Sequence, residues 1–274
     1  MKVSKILKIV FLVLLLPLGM AYLFSLRCRR RWPWPEGMKQ IRYAHRGLHR
    51  RPGRPENSLS AFRAAVEAGL GAELDVHLMA DGNLAVIHDS SLKRTAGADV
   101  EVEDLTKEEL AKYRLKGSGE PIPLLEDVLP LFEHKTPLVV ELKAMNGNHE
   151  ALCEATCAAL DRFNVTYCIE SFDPRVLMWL RKNRPEIIRG QLSGRLNKYG
   201  VPKNPVILWI LSNLMMNFLT RPDFIAYDLE YRRNLSLFLA RKIYGVQEVS
   251  WTVRDPETAW QLEADNCLLI FENF

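Results

Sequence analysis

The chain has 274 residues, which suits one enzyme-sized domain plus a short appendage. Hydrophobic residues make up 48 %, enough for a large core. The net charge of +4 is mild and no basic stripe is interleaved with aromatics, which argues against a nucleic-acid partner.

In chain order, the first feature is an 18-residue run without a charge at 9–26, just long enough to cross a bilayer as a helix. Lys2, Lys5 and Lys8 precede it, and Arg27, Arg29, Arg30 and Arg31 follow. The four clustered arginines favour a cytoplasmic C-terminal side, so a single-pass anchor at the cell membrane with the globular domain in the cytoplasm is expected. The alternative is a signal peptide cleaved near Gly19-Met20-Ala21, but the apolar run continues through Tyr22, Leu23 and Phe24, which a cleaved signal does not need. Trp32-Pro33-Trp34-Pro35 reads as a stiff interfacial linker with both indoles at headgroup level. The chain thus divides into an anchor and linker at 1–36 and a globular domain at 37–274. The cysteine count is odd, five, and Cys153 and Cys157 stand one helical turn apart, which fits helix packing better than a bridge.

From residue 41 onwards strands and helices alternate. A strand at 41–44 leads to a glycine turn, and Asn57 is the expected N-cap of a helix over 59–68. A strand at 72–76 and a second at 84–88 flank Asp81-Gly82, a hairpin signal that makes them antiparallel. The charged stretch 101–115 reads as a surface excursion with a short helix. Helices are then expected at 124–133, 150–163, 174–183, 206–218, 234–244 and 256–264, and strands at 137–142, 166–170, 187–191, 224–229, 248–253 and 267–271. Setting aside the antiparallel 84–88, eight strands alternate with helices, the pattern of an α/β fold of the (β/α)₈ TIM-barrel type. In such barrels the active site lies at the C-terminal strand ends.

Those ends carry the chemistry. A-H-R-G at 44–47 delivers His45 and Arg46, E-L-D-V at 73–76 delivers Glu73 and Asp75, V-I-H-D at 86–89 delivers His88, and V-E-L-K at 140–143 delivers Glu141 and Lys143. Alternation puts Glu73 and Asp75 on one face, and two carboxylates that close do not both stay ionised cheaply without a cation between them. With E-N-S at 56–58, H-D-x-x-L-x-R-T at 88–95, I-P-L-L-E-D-V-L at 122–129 and W-T-V at 251–253, the chain resembles the glycerophosphodiester phosphodiesterase family over about 41–274. One departure is the ending, Phe271-Glu272-Asn273-Phe274 in place of the family's Thr-Asp-x-Pro, which bears on the barrel's closing loop.

The resemblance implies a barrel and a metal-dependent hydrolysis of glycerophosphodiesters to an alcohol and glycerol 3-phosphate. Glu73, Asp75 and Glu141 offer only oxygen, which suits one divalent Mg²⁺ or Ca²⁺. Arg46 and Lys143 are expected to hold phosphate oxygens, and Trp251 to wall the alcohol group. The family's acid/base pair falls on His45 and His88. His49 and His77 are assigned no catalytic part, His77 being expected to face the helices, and Glu56 and Asn57 to organise the loop. Glu170 and Glu230, also near strand ends, are left outside the metal and proton-transfer set. Two other readings stay open: a lysophospholipase D-like hydrolase of single-chain lipids, and a membrane-anchored barrel that binds headgroups without turning them over.

One helix is out of character for a barrel. No charge stands between Lys203 and Arg221, where an outer helix should show a polar face. The expectation is that it dips into the membrane interface beside the site, or buries against a partner subunit in a homo-oligomer.

Overall fold

Residue alternation along the strands sorts the chain into an inner and an outer core. The computed structural model describes residues 11–29, 33–50, 52–196, 204–272 and 274. Helix α1 (Leu16–Ser25), which follows a wide helical turn at Phe11–Leu15, leads to the short strand β1 (Tyr43–Ala44). Helix α2 (Leu59–Glu67), β2 (Gly71–Leu78) and β3 (Leu84–Val86) come next, followed by the one-turn α3 (Lys107–Leu110) and by α4 (Leu125–Phe132). Three strand–helix units follow: β4 (Leu138–Leu142) with α5 (His149–Leu160), β5 (Tyr167–Ser171) with α6 (Pro174–Asn183), and β6 (Arg189–Ser193) with α7 (Pro205–Ser212) and α8 (Asn217–Thr220). The chain ends with β7 (Phe224–Asp228), α9 (Leu235–Leu239), β8 (Gln247–Val253), α10 (Pro256–Ala264) and β9 (Leu268–Phe271).

Eight of these strands are parallel and close into a barrel, with β3 an antiparallel addition on β2, as the Asp81-Gly82 turn predicts. Closure is made by β1, where Tyr43 pairs with Gly71 on one side and Ile270 on the other. The unusual ending does not impair it: Glu272 N–H donates to Val253 O, and the Phe274 ring packs 5.0 Å from Phe271.

Inward-pointing Tyr43, Val139, Cys168, Phe224, Val249 and Ile270 fill the barrel floor. Gly190 is required there, because a Cβ on it would lie 2.1 Å from the Phe224 ring. Outward-pointing Leu74, Val140 and Ile169 pack against the helices, with Phe62 and Phe132 edge-on at 6.0 Å, each buried side chain worth about 1.5–3 kcal/mol.

Several expectations are corrected. Ser58, not Asn57, caps α2, accepting from Ala61 N–H, because Asn57 sits at φ +52° and turns its amide elsewhere. The single helix expected at 206–218 breaks after Ser212, where Leu214 takes φ +58°, into α7 and α8. Trp34 is not a free spacer residue: it packs 5.5 Å from Phe224, closing the barrel floor with buried Met38. Trp32 lies outside the described residues. The run 9–26 begins outside them as well, and among the described residues no helix is long and apolar enough to cross a membrane. Its C-terminal end is part of the globule, with Leu26 and Cys28 buried against Leu237 and Val246. All five cysteines are buried and free.

Candidate active site

The barrel's inner face changes character from floor to mouth. On β2 the inward positions after Gly71 are Glu73, Asp75 and His77, on β4 they are Val139 and Glu141, and on β5 they are Cys168 and Glu170. Parallel register puts Asp75 beside Glu141 and Glu141 beside Glu170, so three adjacent strands raise carboxylates to one level. Glu73, Asp75 and Glu141 are buried, and one oxygen of each lies within 4.8 Å of the others.

Charge balance explains why these acids are held so differently. Lys143 Nζ bridges Glu141 Oε1 at 2.6 Å and Asp75 Oδ1 at 2.9 Å, while Arg46 Nε stands 3.5 Å from Asp75 Oδ2. Burial pushes the Asp75 carboxyl up, but Lys143, then His88 and Arg46, hold it well below the usual range. Lys143 is in turn raised: burial opposes its charge, and Asp75 and Glu141 overcome that. Glu73 is pushed well up, first by burial and then by the charges of Asp75 and Glu141. Glu141 is also raised, mainly by burial. The cluster therefore holds one more carboxyl than its two cations can neutralise, and an all-oxygen set of this kind fits a hard divalent cation.

The histidines sit on either side. Burial, then the Arg46 charge, lowers the His45 imidazole to about 3, so it is neutral, with Nε2 4.0 Å from Glu73 Oε2. His88 Nδ1 faces Asp89 Oδ1 at 2.7 Å, an arrangement that orients the ring and turns Nε2 away from Asp89. A loop from outside the barrel braces the cluster. Glu56 accepts from Arg46 at 2.8 Å and from Arg94 at 2.6 Å, and Asn57 Nδ2 donates to Asp75 Oδ2 at 2.8 Å. Arg46 and Asn57 both adopt left-handed backbone, φ +54° and +52°, which lets Arg46 N–H reach Glu73 Oε2 at 3.0 Å.

Every site residue singled out in the sequence is at this mouth, although Asp75 is behind the others: His45, Arg46, Glu73, His88, Glu141, Lys143 and Trp251 line one cavity of about 1400 Å³. Trp251 meets Phe172 edge-on at 5.8 Å on its far wall. His77 is a correction. Two residues on from Asp75 it shares that face, lines the cavity and bonds Glu103 at 2.6 Å and the His88 carbonyl at 3.2 Å. Glu170 is a residue the sequence reading passed over. It is buried, lines the cavity, and its Oε2 has no hydrogen-bond partner. Its carboxyl is pushed well up by burial and by Glu141. The signal was available, since Glu170 repeats the inward, strand-end position of Glu141.

The brace gives a stability prediction. Burial opposes ionisation of Glu56, but Arg94 and Arg46 lower its carboxyl from 4.5 to about 2. A depressed carboxylate contributes stability above its unfolded value that is lost as pH falls from about 4.5 to about 2. Glu56→Gln is expected to cost on the order of 3 kcal/mol at neutral pH, with the deficit shrinking across that window. Thermal unfolding of both proteins between pH 7 and 2 checks this, and parallel curves would show that Glu56 does not couple to pH.

An eightfold parallel barrel with buried carboxylates and two histidines at its mouth has the architecture of a barrel enzyme. The glycerophosphoryl diester phosphodiesterase family matches residues 45–273, and the chain belongs to that family, as a phosphoric diester hydrolase. It is 36 % identical over 165 residues to a glycerophosphodiester phosphodiesterase of Caldanaerobacter subterraneus subsp. tengcongensis, covering 57 % of this chain and 67 % of that one. A glycerophosphodiester phosphodiesterase of Bacillus altitudinis is 34 % identical, covering 53 % and 63 %. A lysophospholipase D of Rattus norvegicus is 35 % identical, covering 40 % of each chain. Among solved structures, a phosphodiesterase of Oleispira antarctica in complex with the product sn-glycerol-3-phosphate shares the fold at TM-score 0.67 and 23 % identity, covering 85 % of this chain and 92 % of that one.

Proposed function

We propose that this chain hydrolyses glycerophosphodiesters to an alcohol and glycerol 3-phosphate, using one divalent ion, Mg²⁺ or Ca²⁺, held by Glu73, Asp75 and Glu141. The observation that carries this reading is three buried carboxylates within 4.8 Å of one another, in a cavity that also holds His45 and His88. The ion, when bound, supplies positive charge to a phosphate oxygen. Lys143 spends two of its three ammonium protons on Asp75 and Glu141, which leaves one for the phosphate. Arg46, braced by Glu56, presents the rest of its guanidinium to the same anion. His45 and His88, the latter oriented by Asp89, are the pair that takes the proton of the attacking oxygen and gives one to the departing alkoxide. Trp251 and Phe172 wall the alcohol group.

A second reading is favoured by one observation: part of the cavity wall is Ile207, Ile210, Leu211 and Met216, more apolar than a water-soluble headgroup needs. A lysophospholipase D-like activity on single-chain lipids would use that wall, and the likeness to the rat enzyme agrees with it. The apolar run 9–26 would hold the barrel at the cell membrane, on the cytoplasmic side.

The test is hydrolysis of glycerophosphocholine and lysophosphatidylcholine with and without chelator. Loss of both activities in chelator, restored by Mg²⁺ or Ca²⁺, is expected. Full activity in chelator overturns the metal assignment, and binding without turnover of either compound leaves a headgroup-binding barrel.

A further inference from the structure

We propose that three segments of this chain form a single lipid-docking face that opens into the active-site cavity, the occupant being the surface of an anionic bilayer; this rests on the phosphodiesterase reading for the substrate but not for the surface. Among the described residues, every large apolar side chain that is exposed, Trp260 excepted, lies on residues 11–24, 206–209 or 235–243. These stretches are far apart in sequence and adjacent in the fold. Tyr22 Oη meets Ser236 Oγ at 2.8 Å, Tyr244 Oη donates to Leu23 O at 2.6 Å, the Phe24 and Phe218 rings stand 5.7 Å apart, and Asn234 Nδ2 donates to Asn213 Oδ1 at 3.3 Å.

Two features select lipid over a second copy of the chain. Residues 11–29, 204–221 and 234–246 contain no Asp or Glu, whereas Arg27 and Lys242 are exposed among them. That sign suits anionic headgroups, and it would repel itself across a two-fold interface. On α1, Leu16 is 44 % and Leu18 65 % exposed. At about 100° per residue these two point roughly 200° apart around the helix. A protein partner covers one side of a helix, while acyl chains cover all sides.

The face is continuous with the site. Ile207 is 42 % exposed on α7 and also lines the cavity, next to Ile210 and Met216. A single-chain phosphodiester lipid seated with its tail along Ile207, Ile210 and Met216 reaches the carboxylate cradle with its phosphate, without crossing water.

The experiment uses the full chain. Since all five native cysteines are buried, Val206→Cys, Phe238→Cys and Trp260→Cys can each be labelled with an environment-sensitive fluorophore. With vesicles of brominated phosphatidylglycerol, quenching is expected at positions 206 and 238 and not at 260. No quenching at 206 and 238, or a vesicle-independent shielding there that grows with protein concentration, overturns the proposal, the latter in favour of a dimer. In addition, Trp209→Glu with Phe238→Glu is expected to lower hydrolysis of vesicle-borne lysophosphatidylglycerol about tenfold and leave soluble glycerophosphocholine within about twofold. Equal losses on both substrates overturn the docking face. If the unaltered chain hydrolyses neither, the phosphodiesterase reading fails, and quenching at 206 and 238 still decides the surface.

Discussion

Glu73→Gln is expected to remove nearly all activity and to weaken divalent-ion binding, while leaving the metal-free protein as stable as before or more so. The reason is the imbalance in the cradle. Glu73 is pushed up by burial and by the neighbouring charges of Asp75 and Glu141, so its ionised form is a cost in the absence of a cation. Asp75→Asn is expected to lose activity equally but to lower stability. Asp75 sits 2.9 Å from Lys143 Nζ and 3.5 Å from Arg46 Nε, and its removal leaves two buried cations short of a partner, a loss of about 3–5 kcal/mol for a buried pair. The activity loss in both is put at roughly 10³-fold, the several kcal/mol that a metal contributes to charge stabilisation. Calorimetric titration with Mg²⁺ and Ca²⁺, thermal unfolding in chelator and turnover measured side by side check the pair. The two variants moving in the same direction in chelator would sink the charge assignment, and unchanged ion affinity in either would sink its role as a ligand.

His45→Ala and His88→Ala are each expected to lower kcat by roughly 10²–10⁴, the usual worth of a positioned acid or base. The double variant should lose less than the product of the two, because groups acting on one proton relay are not additive. Asp89 supplies the internal control. It bonds His88 Nδ1 at 2.7 Å, and Arg94 Nε also donates to it. Asp89→Asn should therefore lower kcat with little change in KM, and should add almost nothing in the His88→Ala background, where there is no ring to orient. Steady-state kinetics on glycerophosphocholine read all five variants. Near-native turnover in either single histidine variant would reassign that histidine to structure, and full additivity of Asp89→Asn with His88→Ala would separate Asp89 from the His88 function.

The brace around the cradle also shows where a sequence stops being readable. Motif spacing carries Glu73, Asp75, Glu141 and both histidines to the barrel mouth, because strand alternation is local: Glu73 and Asp75 share a face whatever the rest of the chain does. The same rule, applied consistently, places His77 with them, and the structure does so. The hairpin at Asp81-Gly82 was equally local. Register was not. That Asp75, Glu141 and Glu170 stand at one height depends on how three strands slide past one another, which packing of both barrel layers decides. Glu170 stands near a strand end in the sequence, but only this register brings it level with Glu141. Asn57 looked like a helix cap because its type fits one, but a left-handed backbone redirects its amide to Asp75.

Local patterns along the chain specify the alternating strands and helices, the acidic and histidine ends of those strands, the family, and the uncharged runs at 9–26 and 204–220. Each follows from periodicity or motif spacing within a short window, where the backbone's own geometry does the work. Tertiary structure alone decided which ends meet, which cation neutralises which carboxylate, and that Trp34 closes the barrel floor. It also decided that three apolar stretches, distant along the chain, pack against one another, one of them lining the cavity. These are contacts between residues tens to hundreds of positions apart. They are set by closure of the barrel and by the packing of helices around it, which no local window contains.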